Sequence, residues 1–244
     1  MGNLKKTLFG AALAVSMSGA AFAADIPVIE HTPEVIPAEV GSGWYLRGDI
    51  GYSFNITPNQ VYGGTPFSGV RVNDSWTAGI GFGYKATDNF RADLTIDYLS
   101  KYSKRGRFPC NLCTGSFSSE RGSISAWTFL ANAYYDIGTW KGFTPYIGVG
   151  GGAAYVSLGR HLGINPGQPN NSFASSGKWN LAFALMAGGS YELSDNLLID
   201  AGYRYLWLGN TATGLDPTGS VPGKVAYKDL GAHQIRVGMR YMLD

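Results

Sequence analysis

Strict alternation of apolar and polar residues is the feature that most constrains this chain. In residues 90–99, FRADLTIDYL, apolar and polar side chains take turns, and only Leu99 at the end breaks the rule. Because successive side chains of a β-strand point to opposite faces, this segment predicts a strand with one apolar and one charged face. The pattern occurs in eight segments, which are residues 44–54, 75–86, 90–99, 126–137, 144–155, 178–191, 197–208 and 233–243.

The connections between these segments fall into two classes. Short turns follow the second, fourth and sixth segments, at residues 87–89, 138–142 and 192–196. Loops of about 20 residues, rich in Gly, Pro, Asn and Ser, follow the first, third, fifth and seventh, and loops of that length are uncommon in compact domains. This regularity predicts an all-β fold, an eight-stranded antiparallel up-and-down barrel whose two ends face different surroundings.

The segment length and the aromatic residues indicate a transmembrane barrel. Eleven residues at about 3.3 Å each, tilted by about 40°, rise roughly 28 Å, close to the apolar band of an outer-membrane barrel. Aromatic side chains gather where interfacial girdles belong, at Trp44, Trp76, Tyr84, Phe90, Tyr98, Trp127, Tyr135, Tyr155, Trp179, Tyr191 and Trp207. We therefore expect the apolar face to contact lipid and the charged face to line the lumen.

The beginning of the chain predicts export. Residues 1–23 combine Lys5 and Lys6, an apolar stretch too short to span a bilayer, and an Ala-Phe-Ala cleavage site, so we expect a signal peptide there. Residues 24–42 hold three prolines and no alternation, which predicts a periplasmic linker before a barrel over residues 43–244. Without Lys5 and Lys6, 17 basic residues balance 17 acidic ones, which argues against a nucleic-acid partner.

The charged faces predict an ion-pair network inside the barrel. Each buried ion costs several kcal/mol unless it is paired, so the near balance of signs is what a closed lumen requires. An eight-stranded barrel encloses only enough room for its own side chains, which predicts a filled lumen rather than a general diffusion pore. The predicted network consists of Arg47, Asp49, Lys85, Arg91, Asp93, Asp97, Asp136, Asp200, Arg204, Arg236 and Arg240.

Several segments together resemble a known family. The signal peptide, the Pro-containing lead, GWYLRGDIGYSF, FTPYIGVGGGAAY, LLIDAGYRYLWL and the closing strand are similar to the small eight-stranded outer-membrane proteins of alphaproteobacteria, the porin-family surface proteins related to OmpA and opacity barrels. The resemblance implies a cell outer-membrane location, contact with outer-membrane lipids and lipopolysaccharide, and insertion by the assembly machinery. That machinery reads a last strand ending on an aromatic residue, whereas here Tyr241 has the right phase but is not terminal.

Two features fall in the predicted loop after the third segment. Lys101, Lys104, Arg105 and Arg107 form a basic cluster, which is either an ordinary solvated loop or a site for the phosphates of lipopolysaccharide or an acidic host glycan. The adjacent Cys110 and Cys113 predict a local disulfide, because an exported chain meets an oxidising compartment.

Several functions remain open from the sequence. We expect a structural surface protein that supports the envelope and makes external contacts, with a host or surface ligand, through four long loops; a narrow or gated channel is the alternative. A secreted lipocalin-type barrel would need a more polar exterior. A lipid-modifying enzyme would need His161 or His233 beside a serine such as Ser172, Ser175 or Ser176, and nothing in the spacing requires this. We predict no enzyme activity, cofactor or metal.

Overall fold

The computed structural model describes residues 43–217, 219 and 222–243. The predicted signal peptide and linker lie outside these residues. The described part is built from antiparallel strands, and it contains no helix long and apolar enough to cross a membrane. The strands are β1 (Trp44–Asn55), β2 (Asn59–Tyr62), β3 (Thr65–Pro66), β4 (Ser68–Val72), β5 (Ser75–Lys85), β6 (Phe90–Pro109), β7 (Phe117–Asp136), β8 (Phe143–Leu158), β9 (His161–Ile164), β10 (Asn171–Phe173), β11 (Ser176–Ser194), β12 (Leu197–Ala212) and β13 (Ala226–Leu243).

Eight of these strands form a closed ring. The strands β1, β5, β6, β7, β8, β11, β12 and β13 each pair with the next, and β13 pairs back with β1 from Trp44↔Leu243 to Asn55↔Ala232. Closure gives every ring strand a hydrogen-bonded neighbour on both sides, as a lipid-embedded backbone requires. The predicted eight-stranded antiparallel barrel is confirmed.

The two faces of the ring strands follow the predicted alternation. Apolar residues point outward and stay exposed, as for Ile50 (69%) and Leu94 (65%), while charged residues such as Arg91 and Asp97 are buried inside. Each large apolar side chain left in water would forgo about 2 kcal/mol, so this outer surface suits hydrocarbon.

Two aromatic belts bound the apolar surface. At the long-loop end, Trp76, Tyr98, Trp127, Tyr155 and Trp179 follow one another on five adjacent strands, with the rings of Tyr98 and Trp127 4.8 Å apart. At the short-turn end, Trp44 meets Tyr84 and Phe90 meets Tyr135, at centroid distances of 4.9 and 5.1 Å. The belts lie about eight residues apart along a strand, a height of roughly 20 Å for tilted strands, which is near the apolar band of an outer-membrane barrel. We call them the outer belt and the inner belt.

The long-loop end contains more strand than the sequence predicts. Residues 101–108, predicted to lie in a loop, continue β6 to Pro109, and β7 begins at Phe117, nine residues before its predicted segment. His161, also predicted in a loop, begins β9, and β13 starts at Ala226 rather than at His233. The strands β2, β4 and β9 pair with the continued parts of β13, β6 and β7, while β3 pairs with β2 and β10 with β9. We call everything beyond the outer belt the extension.

A β-bulge marks the start of the extension on β6. Between Leu99 and Tyr102, β6 uses one more residue than β7, whose matching partners are Ala126 and Ile124. Such a bulge exchanges the two faces of a strand. Odd-numbered residues of β6 point inward below it, and even-numbered ones such as Tyr102 and Lys104 are buried above it. Leu99 itself keeps the inward phase, and its apolar side chain belongs to the buried apolar cluster that begins at this height.

Glycines permit close approach between ring strands. A Cβ added to Gly152 would overlap the carbonyl oxygen of Phe129 and would lie 3.1 Å from the Cα of Leu130. We therefore expect Gly152→Val to reduce the free energy of unfolding by about 1–3 kcal/mol, because backbone atoms cannot move aside as a side chain can. Urea unfolding in lipid vesicles measures the change.

The matched control for this substitution is Gly48→Val. Gly48 is exposed on the outer face, and a Cβ there meets nothing within 4 Å. This variant should unfold at the same urea concentration as the unmodified protein, and equal destabilisation of both variants would contradict the interpretation.

Candidate functional site

The centre of the barrel interior is Asp97 on β6, which bridges two arginines from the opposite wall. Its carboxylate accepts hydrogen bonds from Nη1 of Arg204 at 2.7 Å and from Nη2 of Arg236 at 2.6 Å. Thr128 on β7 donates to the same carboxylate at 3.5 Å. Because all of these groups are buried, the carboxylate compensates two positive charges that have no access to bulk water.

A second group of charges surrounds Arg47. Its guanidinium donates to Asp49 on the same strand at 2.8 and 2.9 Å, and to Asp93 on β6 at 2.8 Å. Nη1 also donates to the hydroxyl of Tyr134 at 3.0 Å. Arg236 lies 3.4 Å from Asp49, so it connects this group to Asp97.

Two further pairs occupy the half nearer the inner belt. Nε of Arg91 donates to both carboxylate oxygens of Asp136 at 3.1 Å, and Nη2 of Arg240 donates to Asp200 at 3.1 Å. The guanidinium of Arg91 also lies over the rings of Tyr134 and Tyr146, at 4.1 and 4.6 Å from their centroids. The ring faces stabilise the part of the cation that Asp136 does not reach.

The structure brings together ten of the eleven residues predicted for the interior network, five arginines and five aspartates. Lys85 is the exception. It lies at the last position of β5, where its half-exposed ammonium is 3.8 Å from Asp88 in the following turn. Its phase along the strand is correct, but the strand ends before the side chain can join the network.

Three tyrosines in the interior went unassigned in the sequence analysis. Tyr45 and Tyr134 both hydrogen-bond to Asp93, and Tyr146 packs on Arg91. Their signal was available, since each occupies the inward-facing phase of its segment. A void beside Arg47, Tyr134 and Tyr146 measures about 20 Å³, roughly the room for one water molecule.

Four polar residues form a second buried group in the extension, which we call the histidine cluster: Lys104, Glu120, His161 and Tyr227. Nε2 of His161 lies 2.6 Å from Oε2 of Glu120, and Nδ1 lies 3.0 Å from Nζ of Lys104 and 2.9 Å from the hydroxyl of Tyr227. Lys104 was predicted to belong to an exposed anion site; it is buried instead, because the bulge turns it inward.

The hydrogen bonds indicate a neutral His161. With the proton on Nε2, the ring donates to Glu120, and the single lone pair of Nδ1 is shared between the donors Lys104 and Tyr227. Burial lowers the pKa of His161 below its ordinary value of 6.5, against the opposing effect of Glu120. Burial likewise lowers the pKa of Lys104. The aromatic rings of Phe67 and Phe173 pack on the imidazole and contribute to this burial.

Among the described residues, neither His161 nor His233 is hydrogen-bonded to a serine. Glu120, Lys104 and Tyr227 already occupy both ring nitrogens of His161. His233 lies on the outer face, where Nδ1 hydrogen-bonds to the hydroxyl of Tyr203. Within the described part of the chain, no group of three or more His, Cys, Asp or Glu residues is placed to hold a metal ion.

The remaining basic residues of the predicted anion cluster lie on the outer face of the extension. Arg105 is directly opposite Arg71 of β4 on one side and Arg121 of β7 on the other, and all three are exposed. We call these three residues the arginine row. Arg107 is exposed two positions further along β6, and a groove of about 560 Å³ follows this face. Lys101 is exposed nearer the outer belt.

Cys110 and Cys113 are joined in a disulfide at the tip of the hairpin between β6 and β7. The amide of Cys113 donates to the carbonyl of Cys110, and the amide of Ser116 donates to Cys113. The tip also contacts the β9–β10 connection through Thr114 and Pro166.

Comparisons with known proteins agree with this geometry. A family model of the outer membrane protein β-barrel domain matches residues 9–242, so the chain belongs to this family and is located in the cell outer membrane. An uncharacterized protein of Brucella abortus is 35% identical over 95% of this chain and 98% of its own length. A putative adhesin of Rickettsia bellii is 30% identical over 81% and 82%. The outer membrane protein OprG of Pseudomonas aeruginosa shares the fold, with a TM-score of 0.50, 16% identity and coverage of 82% and 97%.

The bridging role of Asp97 predicts a large effect on stability. Asp97→Ala leaves Arg204 and Arg236 without their shared partner, and we expect the free energy of unfolding to fall by about 3–5 kcal/mol. Urea unfolding in vesicles measures it. Asp88→Ala, which removes an exposed partner of Lys85, should leave the transition unchanged; a similar response of both variants would argue against a central role for Asp97.

The histidine cluster predicts a pH-dependent extension. A pKa of His161 below 6.5 in the folded protein means that the unfolded state binds its proton first, so stability is present above pH 6.5 and is lost as pH falls below it. Protonation at Nδ1 would remove its hydrogen bonds from Lys104 and Tyr227 and add a charge beside Lys104. Amide hydrogen exchange in residues 100–125 should therefore accelerate between pH 7 and pH 5, after correction for intrinsic rates.

His161→Gln provides the control for this measurement. The glutamine amide can donate to Glu120 and accept from Lys104 but does not titrate. Its exchange should change little across the same pH range, and acceleration equal to that of the unmodified protein would assign the effect to other groups.

Proposed function

We propose that this outer-membrane protein is a non-enzymatic surface barrel. In this proposal its sealed interior stiffens the membrane-spanning part, and its extension makes contacts outside the cell. The observation that carries the proposal is the set of ion pairs among five arginines and five aspartates inside the barrel, with a void of about 20 Å³ beside Arg47, Asp49 and Arg236. Ions crossing this interior would have to break hydrogen bonds between buried charges, at a cost of several kcal/mol for each.

The extension supports the second half of the proposal. In outer-membrane barrels the short turns face the periplasm and the longer connections face the outside, so the extension is extracellular. Its continued strands, disulfide tip and histidine cluster hold a sizeable surface in a fixed shape, which suits recognition. The Rickettsia bellii relative described as a putative adhesin is consistent with a role in external contacts.

Two alternatives have less support. The hydrogen bonds of His161 and His233 leave neither imidazole arranged as a general base for a nearby serine. A narrow or gated channel would require the groups around Arg47 to move apart. We also propose that Tyr241, outward-facing near the end of β13, serves as the aromatic signal for the assembly machinery.

Single-channel recording of the refolded protein in planar bilayers tests the sealed interior. After the heat-modifiable gel shift has verified folding, both the unmodified protein and Asp49→Ala should show no conductance steps, because Arg47 and Arg236 still fill the lumen. The double variant Arg47→Ala/Tyr134→Ala enlarges the void and should admit ions, which serves as the positive control. Steady openings of the unmodified protein that Asp49→Ala alters would instead favour a channel.

A further inference from the structure

The arginine row brings three like charges together. Arg71, Arg105 and Arg121 are directly opposite one another on three adjacent strands. Opposed side chains of an antiparallel sheet have Cβ atoms about 5 Å apart, and like charges at such positions destabilise the pairing. An anion bound across the row would offset this repulsion.

The neighbouring strands of the extension do not supply that charge. Among the described residues of β4, β9 and the extended parts of β6 and β7, the carboxylate is that of Glu120. Glu120 points inward, where it accepts hydrogen bonds from Ser118 and His161. The outer face of these strands carries only positive charge, from the arginine row, Arg107 and Lys101.

The height of the arginine row above the bilayer indicates which molecules of the outer membrane lie beside it. Arg121 precedes Trp127 of the outer belt by six residues on the same face of β7, which places the row roughly 15 Å above the belt on a tilted strand. The row lies on the side wall of the extension rather than at its disulfide tip. In an outer membrane, the molecules beside this wall at this height are the phosphorylated sugars of lipopolysaccharide.

We propose that the arginine row binds phosphate groups of lipopolysaccharide in the outer leaflet. This deepens the proposed external-contact role and rests on it. The guanidinium group offers paired N–H donors that match a phosphate in shape and charge, and charge-assisted bonds of this type are stronger than neutral ones. The groove along Arg105, Arg107 and Arg121 gives a sugar phosphate access to more than one guanidinium. Binding of this kind fixes the barrel laterally among its lipid neighbours.

Fluorescence polarization with labelled lipopolysaccharide and the refolded protein in nonionic detergent tests the proposal. Arg105→Ser/Arg121→Ser should weaken binding about tenfold or more. Both residues are exposed and outward-facing, so the variant should retain the heat-modifiable gel shift of a folded barrel. Lys178→Ser/Lys228→Ser, which removes the same charge from β11 and β13, should change affinity less than about twofold.

Two further ligands decide the source of the phosphate. Lipopolysaccharide freed of phosphate with hydrofluoric acid should bind the unmodified protein as weakly as intact lipopolysaccharide binds the double arginine variant. Equal binding of both forms, or an unaffected double arginine variant, would overturn the proposal. Heparin binding that depends on the row, without lipopolysaccharide binding, would assign the row to sulfated glycans instead. None of these readouts depends on whether the lumen conducts, so failure here and failure of the sealed-interior proposal are distinguishable.

Discussion

The need to neutralise charge inside a closed, lipid-embedded ring governs this structure. Asp97 neutralises Arg204 and Arg236 together. Arg236 also lies near Asp49, which in turn pairs with Arg47. The connected residues come from β1, β6, β12 and β13, and the contacts of Asp97 with Arg204 and Arg236 cross the lumen to join strands that are not neighbours in the sheet. Backbone hydrogen bonds close the ring, and these contacts hold its opposite walls at a fixed distance.

The close approach of neighbouring strands around these carboxylates also depends on glycines, which have no side chain. Gly79 lies beside Asp97 and Gly238 beside Asp49, and a Cβ at either position would overlap the carboxylate. The large charged residues and the glycines therefore belong to one packing solution, in which small positions on one strand make room for long side chains on the next. This pairing gives the glycines inside the barrel a role in packing.

The membrane-spanning part was predictable because its strands alternate regularly between lipid-facing and lumen-facing residues. Alternation identifies the strands, the phase of each residue identifies its face, and the short and long connections give the topology. Lys85 shows that phase alone does not predict a contact, since it has the inward phase but lies at the last position of its strand. The extension was harder to predict: its strands lack a uniform apolar face, and one extra residue after Leu99 reverses the phase, so Lys104 was assigned to the wrong side. The contacts of His161 join β6, β7, β9 and β13, and no local pattern encodes them.

The bulge in β6 has a consequence for how such a barrel can change over time. If β6 ran through without the bulge, its 20 residues would keep one alternation, and Arg105 and Arg107 would point into the aromatic interior while Lys104 faced outward. The bulge thus divides one strand into two parts in which opposite sets of residues, odd-numbered and even-numbered, face inward. Below the bulge, substitutions must keep apolar side chains on the lipid-facing side and balanced charges on the lumen side. Above the bulge, the outer face of the strand can become polar or charged without changing which residues face lipid below. The outer surface of the extension can therefore vary while the membrane-spanning part of the strand keeps its alternation.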